Sequence, residues 1–352
     1  MHFFSRYPDI ASRHTREGGY PYGVSTTKTL WTPAFARVTA LLLTLLLSVS
    51  VTAQEDELKL TPITPETTIF GDLRYLWGFE LESDDPKFGG FSGLTGLRSV
   101  KQGANTHHLL GSVTDTGYYA SWEIIFPSNG APSISLYPLQ PITKEAGTAT
   151  DKIKFDVEAI TEFEEWNLYG YEQDHRVVNI NPEATRISRP HNLDLIPPDG
   201  GFEAMTMLKN NVLLIVAEHP DRNTKQQLAW LGRKQAGGDF RYEARTVILP
   251  EGYYPSDATT LMNGDVVLLL RKFSLFKGFS TKLLRITHEA IMSGDPLEGH
   301  EIADFPFRVN FDNLEGIASM PHPAGGEAIY LISDDNFSTL QKTVFLAFQL
   351  QY

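Results

Sequence analysis

The sequence predicts an all-β chain closed into a β-propeller, most simply of five four-stranded blades. Three observations lead there. Its apolar runs are four to eight residues long, rich in β-branched and aromatic types, and punctuated by Gly, Pro, Asn and Asp, which reads as strands and turns rather than helices. A polar residue followed by a small one opens five of these runs. A second apolar run follows each copy, and four of the five lead into an acid.

The first runs are Phe91 in FSGLTGL, Val157 in VEAITEF, Phe202 in FEAMTML, Ser256 in SDATTLM and Leu314 in LEGIASM. Their polar members are Ser92, Glu158, Glu203, Asp257 and Glu315, each trailed by Gly or Ala. The second runs, HHLLGSV, WNLYGY, NVLLIVA, DVVLLLR and AIYLIS, lead into Asp115, Glu172, Glu218, Arg271 and Asp334. Successive polar positions lie 66, 45, 54 and 58 residues apart. A blade with its loops takes about 40–50 residues, so each interval holds one. The long first interval keeps six blades open as the alternative. A sandwich would also alternate short strands, but gives no reason for a polar–small pair at blade spacing. The strand at 68–82 is expected to join 315–352 and close the ring, which protects the sheet edges. Only THEAIMSG, from Thr287, has helical character, for a turn or two.

Three segments result: an N-terminal extension and signal peptide at 1–53, an acidic, Pro-containing linker at 54–67, and one propeller domain at 68–352. The run VTALLLTLLLSVSVTA (38–53) follows Arg37 and ends in small residues, with cleavage expected near Ala53 and Gln54. Its apolar part spans about 15 residues, short of the ~20 a bilayer requires, so no stable membrane anchor is expected after cleavage. Export to the periplasm or the exterior follows. The 37 residues before it are an unusual leader, and the true start is expected downstream of Met1, although no other Met precedes Met205.

Charge narrows the partners. Residues 1–53 carry five Lys/Arg and two Asp/Glu, so their removal takes the formal charge from −13 to −16. Nucleic acids and anionic surfaces are poor partners for such a chain; a cation is a good one. With no cysteine there are no disulfides, no thiolate chemistry and no Cys-ligated zinc. P-loop and dinucleotide fingerprints are absent, so no nucleotide cofactor is expected.

In a propeller the first strand of each blade lines the central channel. The polar positions should therefore form a ring at one mouth, with the residues ending the second strands as a tier beside it. Clustered carboxylates need a cation, a shared proton or a neighbouring Arg. Hard oxygen ligands suit Ca²⁺; its candidate ligands are Asp115, Glu172, Glu218, Asp257, Asp334 and Asp335. The competing reading is structural, with each acid capping backbone N–H groups of the adjacent blade.

GGFSGL (89–94), DVEAI (156–160), GGFEAM (200–205), LLLRKF (268–273), NLEGIA (313–318) and SDDNF followed by Gln341 resemble the phytase-like family, described as having an esterase-like activity of phytase. The likeness runs from about Phe88 to Leu350. Here Ala159 and Ala204 stand where the family pattern has Gly, and Thr116 where it has Arg. The resemblance implies a β-propeller and a phosphoester hydrolase. On that basis Glu158, Glu203, Glu315 and Arg271 are the catalytic candidates, with Arg271 stabilising the equatorial phosphate oxygens. Arg176, Arg222, Lys277 and Asn336 are the substrate-binding candidates. The reaction would be Ca²⁺-assisted hydrolysis of phytate or another organic phosphate.

Two alternatives stay open. One is a non-enzymatic propeller that binds a ligand, glycan or protein. The other is a metal-assisted esterase or lactonase; Ser92 lies between glycines but lacks the G-x-S-x-G spacing of a nucleophile elbow. His107 and His108 beside a strand start read as surface residues, and His175 and His219 as loop residues near the channel tier.

Overall fold

The computed structural model describes residues 58–142, 156–164, 166–180, 185–198, 200–294, 296–307, 309 and 311–351. The leader and signal peptide at 1–53 lie outside them. Three strands come first: β1 (Lys59–Pro62), β2 (Ile69–Phe70) and β3 (Leu73–Glu82). The first blade holds β4 (Phe91–Gln102), β5 (Asn105–Thr114), β6 (Tyr118–Phe126) and β7 (Ser133–Leu136), with β8 (Gln140–Pro141) also against β6. The second holds β9 (Val157–Phe163), β10 (Trp166–Tyr171), β11 (Arg176–Ile180) and β12 (Thr185–Ser188). The third holds β13 (Ala204–Met207), β14 (Val212–Val216), β15 (Gln227–Lys234) and β16 (Phe240–Val247). The fourth holds β17 (Tyr254–Thr260), β18 (Val266–Ser274), β19 (Gly278–Ile286) and β20 (His300–Phe305). The fifth holds β21 (Asn313–Pro321), β22 (Glu327–Asp334) and β23 (Thr343–Leu350), and takes β3 as its fourth strand.

Every sheet is antiparallel, and the inner strands β4, β9, β13, β17 and β21 contact one another in turn around a closed ring. Five blades are present, not six. Closure is made by β23 against β3, in register from Thr343↔Leu81 to Leu350↔Leu73. The expected linker contributes structure of its own: β1 adds to the outer side of β3, with Lys59 opposite Glu82. The THEAIMSG segment forms α1 (His288–Ser293), whose N-cap Thr287 side chain accepts from the Ala290 N–H.

The run VLLIV of β14 is apolar throughout because both faces are covered. Leu213 and Ile215 pack toward the second blade, with Phe163 and Leu168; Val212, Leu214 and Val216 pack toward the fourth, with Leu268 and Leu270. β18 and β22 repeat this division. The described core thus falls into five clusters, one per blade interface, the smallest between the first and second blades. His108 belongs to this interior rather than the surface. It is buried between the first and fifth blades, its Nδ1 2.7 Å from the Tyr330 hydroxyl, and burial pushes its pKa down to about 4.

Small residues let the inner strands converge. A Cβ on Gly93 would lie 3.1 Å from the Glu158 carbonyl oxygen of the next inner strand, and one on Gly316 would lie 2.9 Å from Leu94 Cβ. Ala159 and Ala204 fit at the corresponding places fully buried, so alanine is sterically accommodated there.

Candidate active site at the channel mouth

One register repeats around the mouth. The residue that each second strand leads into, an acid in four blades and Arg271 in the fourth in order, meets the residue two positions before the ring position. The N–H of Asp115 donates to the Gly90 carbonyl, Glu172 to Asp156 and Glu218 to Gly201, at 2.9–3.1 Å. Asp334 is paired with Asn313, and Arg271 with Tyr254. Counting two residues on from each gives Ser92, Glu158, Glu203, Ser256 and Glu315. The fourth copy is therefore displaced by one from the expected alignment: Ser256, not Asp257, takes the ring position. The ladder irregularities agree in three blades, where Ser256, Glu158 and Glu315 are each skipped by the pairing of their strands; in the first blade Ser92 is paired and Gly93 is skipped. A bulge of this kind re-aims a side chain toward the axis.

Asp257 is accordingly corrected from metal ligand to structural cap. It is 0% exposed, and its carboxylate accepts from the N–H groups of Leu94 (2.9 Å), Ile317 (2.8 Å) and Ala258 (2.7 Å). Those donors belong to the first, fifth and fourth blades, so one side chain ties three inner strands together. Burial pushes its pKa well up, against the pull of the three donors. We expect Asp257→Ala to cost on the order of 3 kcal/mol or more, because it strands buried donors. Ser256→Ala, which removes a hydroxyl lying 3.2 Å from the Leu314 carbonyl, should cost about 1 kcal/mol. Urea unfolding of the two variants checks the difference.

The remaining three acids come together as a ring. Glu203 and Glu315 are buried and Glu158 partly so. Ser92 is adjacent to both Glu158 and Glu315, and its hydroxyl pulls the pKa of each downward; having one proton, it can donate to only one of them at a time. This is a bridging position for Ser92 within the ring. Burial raises the pKa of Glu158 well above the carboxylate range, with Glu315, Asp156 and Glu172 adding to it. Glu203 is raised well above its range by burial and by Glu218 and Glu158. Glu315 is also raised by burial, with Arg271 and the Asn313 amide opposing.

Arg271 is the cation within this set. Its guanidinium donates to Glu315, to Glu218 at 2.9 Å and to Asn313 Oδ1 at 3.2 Å. Asn313 in turn donates to Glu315 at 2.5 Å. Burial opposes the charge on Arg271, but Glu315, Glu203 and Glu218 outweigh it and hold the group protonated. Arg271 is thus engaged by carboxylates, which makes charge balance within the ring its first role.

Among the described residues, two groups of carboxylates have metal-ligating geometry. Oxygens of Asp156, Glu158 and Glu172 lie within 4.8 Å of one another, as do those of Glu172, Glu203 and Glu218. Glu172 belongs to both. The donors are all hard oxygens, and two of them, Glu158 and Glu203, are raised by burial and then by neighbouring carboxylates, so the set could hold a metal ion.

The other candidates divide. Asp334 faces Glu315 and Asp115, and burial followed by Glu315 raises its pKa to about 8. Asp335 braces loops instead: Oδ1 accepts from the Gly90 and Phe337 N–H groups at 3.0 Å, and Oδ2 from the Thr343 hydroxyl at 3.1 Å. Asn336 is exposed on the rim of a mouth-side pocket of about 910 Å³ that also touches Arg271 and Glu218. Arg176 lies 3.8 Å over the Tyr171 ring and bonds Asp174 at 2.9 Å. Arg222 is exposed in the loop after Glu218, with its N–H on the Leu195 carbonyl. Lys277 sits in the β18–β19 turn, 5.8 Å over the Phe307 ring, and does not line the pocket.

Sequence reasoning missed Asp156 and Asn313. Both stand two residues before a ring glutamate, on the same side of an extended strand, so an i, i+2 polar pair at the start of an inner strand was the available signal.

A five-bladed propeller with an acid-ringed channel mouth is the class of protein these features define. The chain belongs to the phytase-like family, described as esterase-like activity of phytase, whose model matches residues 86–337. No curated protein matches its sequence. Solved structures resemble it only at low identity and with TM-scores below 0.5. An endo-arabinase from Bacteroides thetaiotaomicron is 8% identical with a TM-score of 0.40, covering 81% of this chain and 96% of its own. A putative gluconolactonase is 10% identical at 0.39, covering 83% and 99%. A mannose phosphorylase from Leishmania mexicana, in complex with phosphate, is 10% identical at 0.36, covering 89% and 94%.

Proposed function

We propose that this protein is a metal-assisted phosphoester hydrolase working at the channel mouth, with phytate or another organic phosphate as substrate and Ca²⁺ as the metal. The observation that carries the reading is the pair of carboxylate triads sharing Glu172, next to ring acids that burial and like charge hold above their ordinary pKa. Asp156, Glu158, Glu172, Glu203 and Glu218 would hold the metal. Bound there, it would neutralise the ring, draw phosphate oxygens to an otherwise repellent mouth and polarise the phosphoryl group as a Lewis acid.

The chain's own residues supply the rest. Arg271 and Asn313 fix the Glu315 carboxylate. A ring acid with a raised pKa can hold a proton near neutrality and give it to a leaving oxygen, or take one from water. Glu315, which belongs to neither carboxylate triad, carries that role in this reading. Tyr254, Asn336 and Gln341 line the approach. Export matches the 38–53 segment, and among the described residues no helix is long and apolar enough to cross a membrane.

The test is phosphate release from p-nitrophenyl phosphate and from phytate, with Ca²⁺ and with EDTA. Release should require the metal. Glu172→Gln should weaken Ca²⁺ binding by roughly 10–100-fold or more, the range that even outer partners of a metal ligand produce. No release with any divalent ion would overturn the proposal.

A further inference from the structure

The pocket beside the ring has two chemically different ends. At its inner end are Asn313, 1% exposed, and Arg271, held to Glu218 and Glu315. At its outer end are Tyr254, Phe273, Phe279 and Leu340. Phe273 and Phe279 face each other across the β18–β19 hairpin with ring centroids 5.0 Å apart. Phe273 is 60% exposed and Leu340 91% exposed. These exposed apolar side chains flank one opening, where a ligand entering the pocket would cover them. The cavity, about 910 Å³, is in the range of small-molecule sites, in which apolar walls supply affinity and a few polar groups fix orientation.

We propose that the substrate is amphiphilic: a monoester with one anionic head at the Arg271 and Asn313 end and an aryl or alkyl body against Phe273, Phe279 and Leu340. The proposal rests on the hydrolase reading for what happens to the head, but not for where the body lies. A highly phosphorylated, wholly polar ring such as phytate leaves those apolar side chains uncovered. It also brings many like charges to a mouth whose protein charge is negative. One anionic group is easier to balance with Arg271 and a bound cation, and burying an apolar body adds affinity the polar end cannot provide. Among the organic phosphates of the proposed reaction, the class these walls favour is therefore the hydrophobic phosphomonoesters.

Binding, not turnover, tests this. Equilibrium affinities would be measured for n-alkylphosphonates of increasing length, and for n-alkylcarboxylates of the same lengths, with Ca²⁺ present. We expect affinity to rise about fourfold per added methylene up to the depth of the pocket. Phe273→Ser and Leu340→Ser, exposed positions outside the ring, should flatten that slope while leaving the shortest phosphonate unchanged. A slope seen with both heads and lost in the serine variants supports the proposal even if no ester is hydrolysed, in which case the hydrolase reading alone fails. A length-independent affinity, or no binding of any length, overturns the proposal. So does a slope that the serine variants leave intact.

Discussion

Arg271→Met is expected to destabilise the metal-free protein by about 3–5 kcal/mol, the cost of leaving buried charge without its partner. The guanidinium sits between Glu315 and Glu218 and within electrostatic reach of Glu203. Methionine fills much of the same space and removes the positive charge, so three acids face one another with nothing between them. They respond by taking up protons, which ties the penalty to pH. It should be largest near neutrality and shrink toward about pH 4, where carboxyls are protonated in folded and unfolded chains alike. Arg271→Lys keeps the charge but cannot engage two carboxylates with a planar fork, and should fall between the two. A second change tests the cause. If the penalty is uncompensated charge, Glu218→Gln in the Arg271→Met background should recover part of it, and the pair should be strongly non-additive. Urea unfolding in EDTA at two pH values reads the parent, the three single variants (Arg271→Met, Arg271→Lys and Glu218→Gln) and the double variant. An Arg271→Met protein as stable as the parent near neutrality would mean that the ring does not depend on this cation.

Most of this architecture was legible in the sequence because the propeller repeats a local device. A polar residue, a small residue and an apolar strand are needed at every blade, so five imperfect copies reinforce one another. The closing strand was legible for a related reason: LRYLWGFELE had strand character and no blade of its own. The site was less legible where structure and chemistry use similar residues. Asp257 reads like a fourth ring acid, since aspartate and glutamate look alike in a motif of polar–small pairs. Only the register Tyr254↔Arg271 and Pro255↔Leu270 shows that Ser256 occupies the ring and that Asp257 faces three backbone donors. The reading in which acids cap the neighbouring blade is right for that residue, and for Asp335. Arg271 was visible as the odd member of the second tier, but its engagement with Glu218 and Glu315 requires a contact between distant segments that no local pattern encodes. The apolar side of the mouth pocket was invisible for the same reason: Phe273 and Leu340 are 67 residues apart and come to line one pocket only in the folded chain.

The ring's titration gives the last large effect, a protein whose stability falls as pH rises unless a divalent cation is present. Asp334 is raised from its ordinary value of 3.8 to about 8, and Glu158, Glu203 and Glu315 are raised as well. A carboxyl raised in the folded state binds its proton more tightly there than in the unfolded chain. Between the two pKa values the folded protein holds more protons, and the slope of stability against pH is negative. The contribution is fully present below about pH 4 and is lost by about pH 8 for Asp334, at roughly 1.4 kcal/mol per unit of separation. Asp265 and Asp221, which neighbouring hydrogen-bond donors lower, act in the opposite sense but only in the acid range. Melting in EDTA should therefore show a midpoint that declines from about pH 5 to about pH 8, by roughly 2–4 °C for each kcal/mol in a domain of this size. Asp334→Asn keeps an oxygen to accept from the Asn336 N–H, now 2.7 Å from Asp334, and should flatten the decline. Ca²⁺ binds the deprotonated acids, so its stabilisation should grow over the same interval, reaching about 2.7 kcal/mol when free metal is a hundredfold above its dissociation constant. A midpoint in EDTA that does not fall over this range, in the parent protein, would show that the mouth carboxyls are not held above their ordinary pKa. The case for a cation at the mouth would then lose its electrostatic basis.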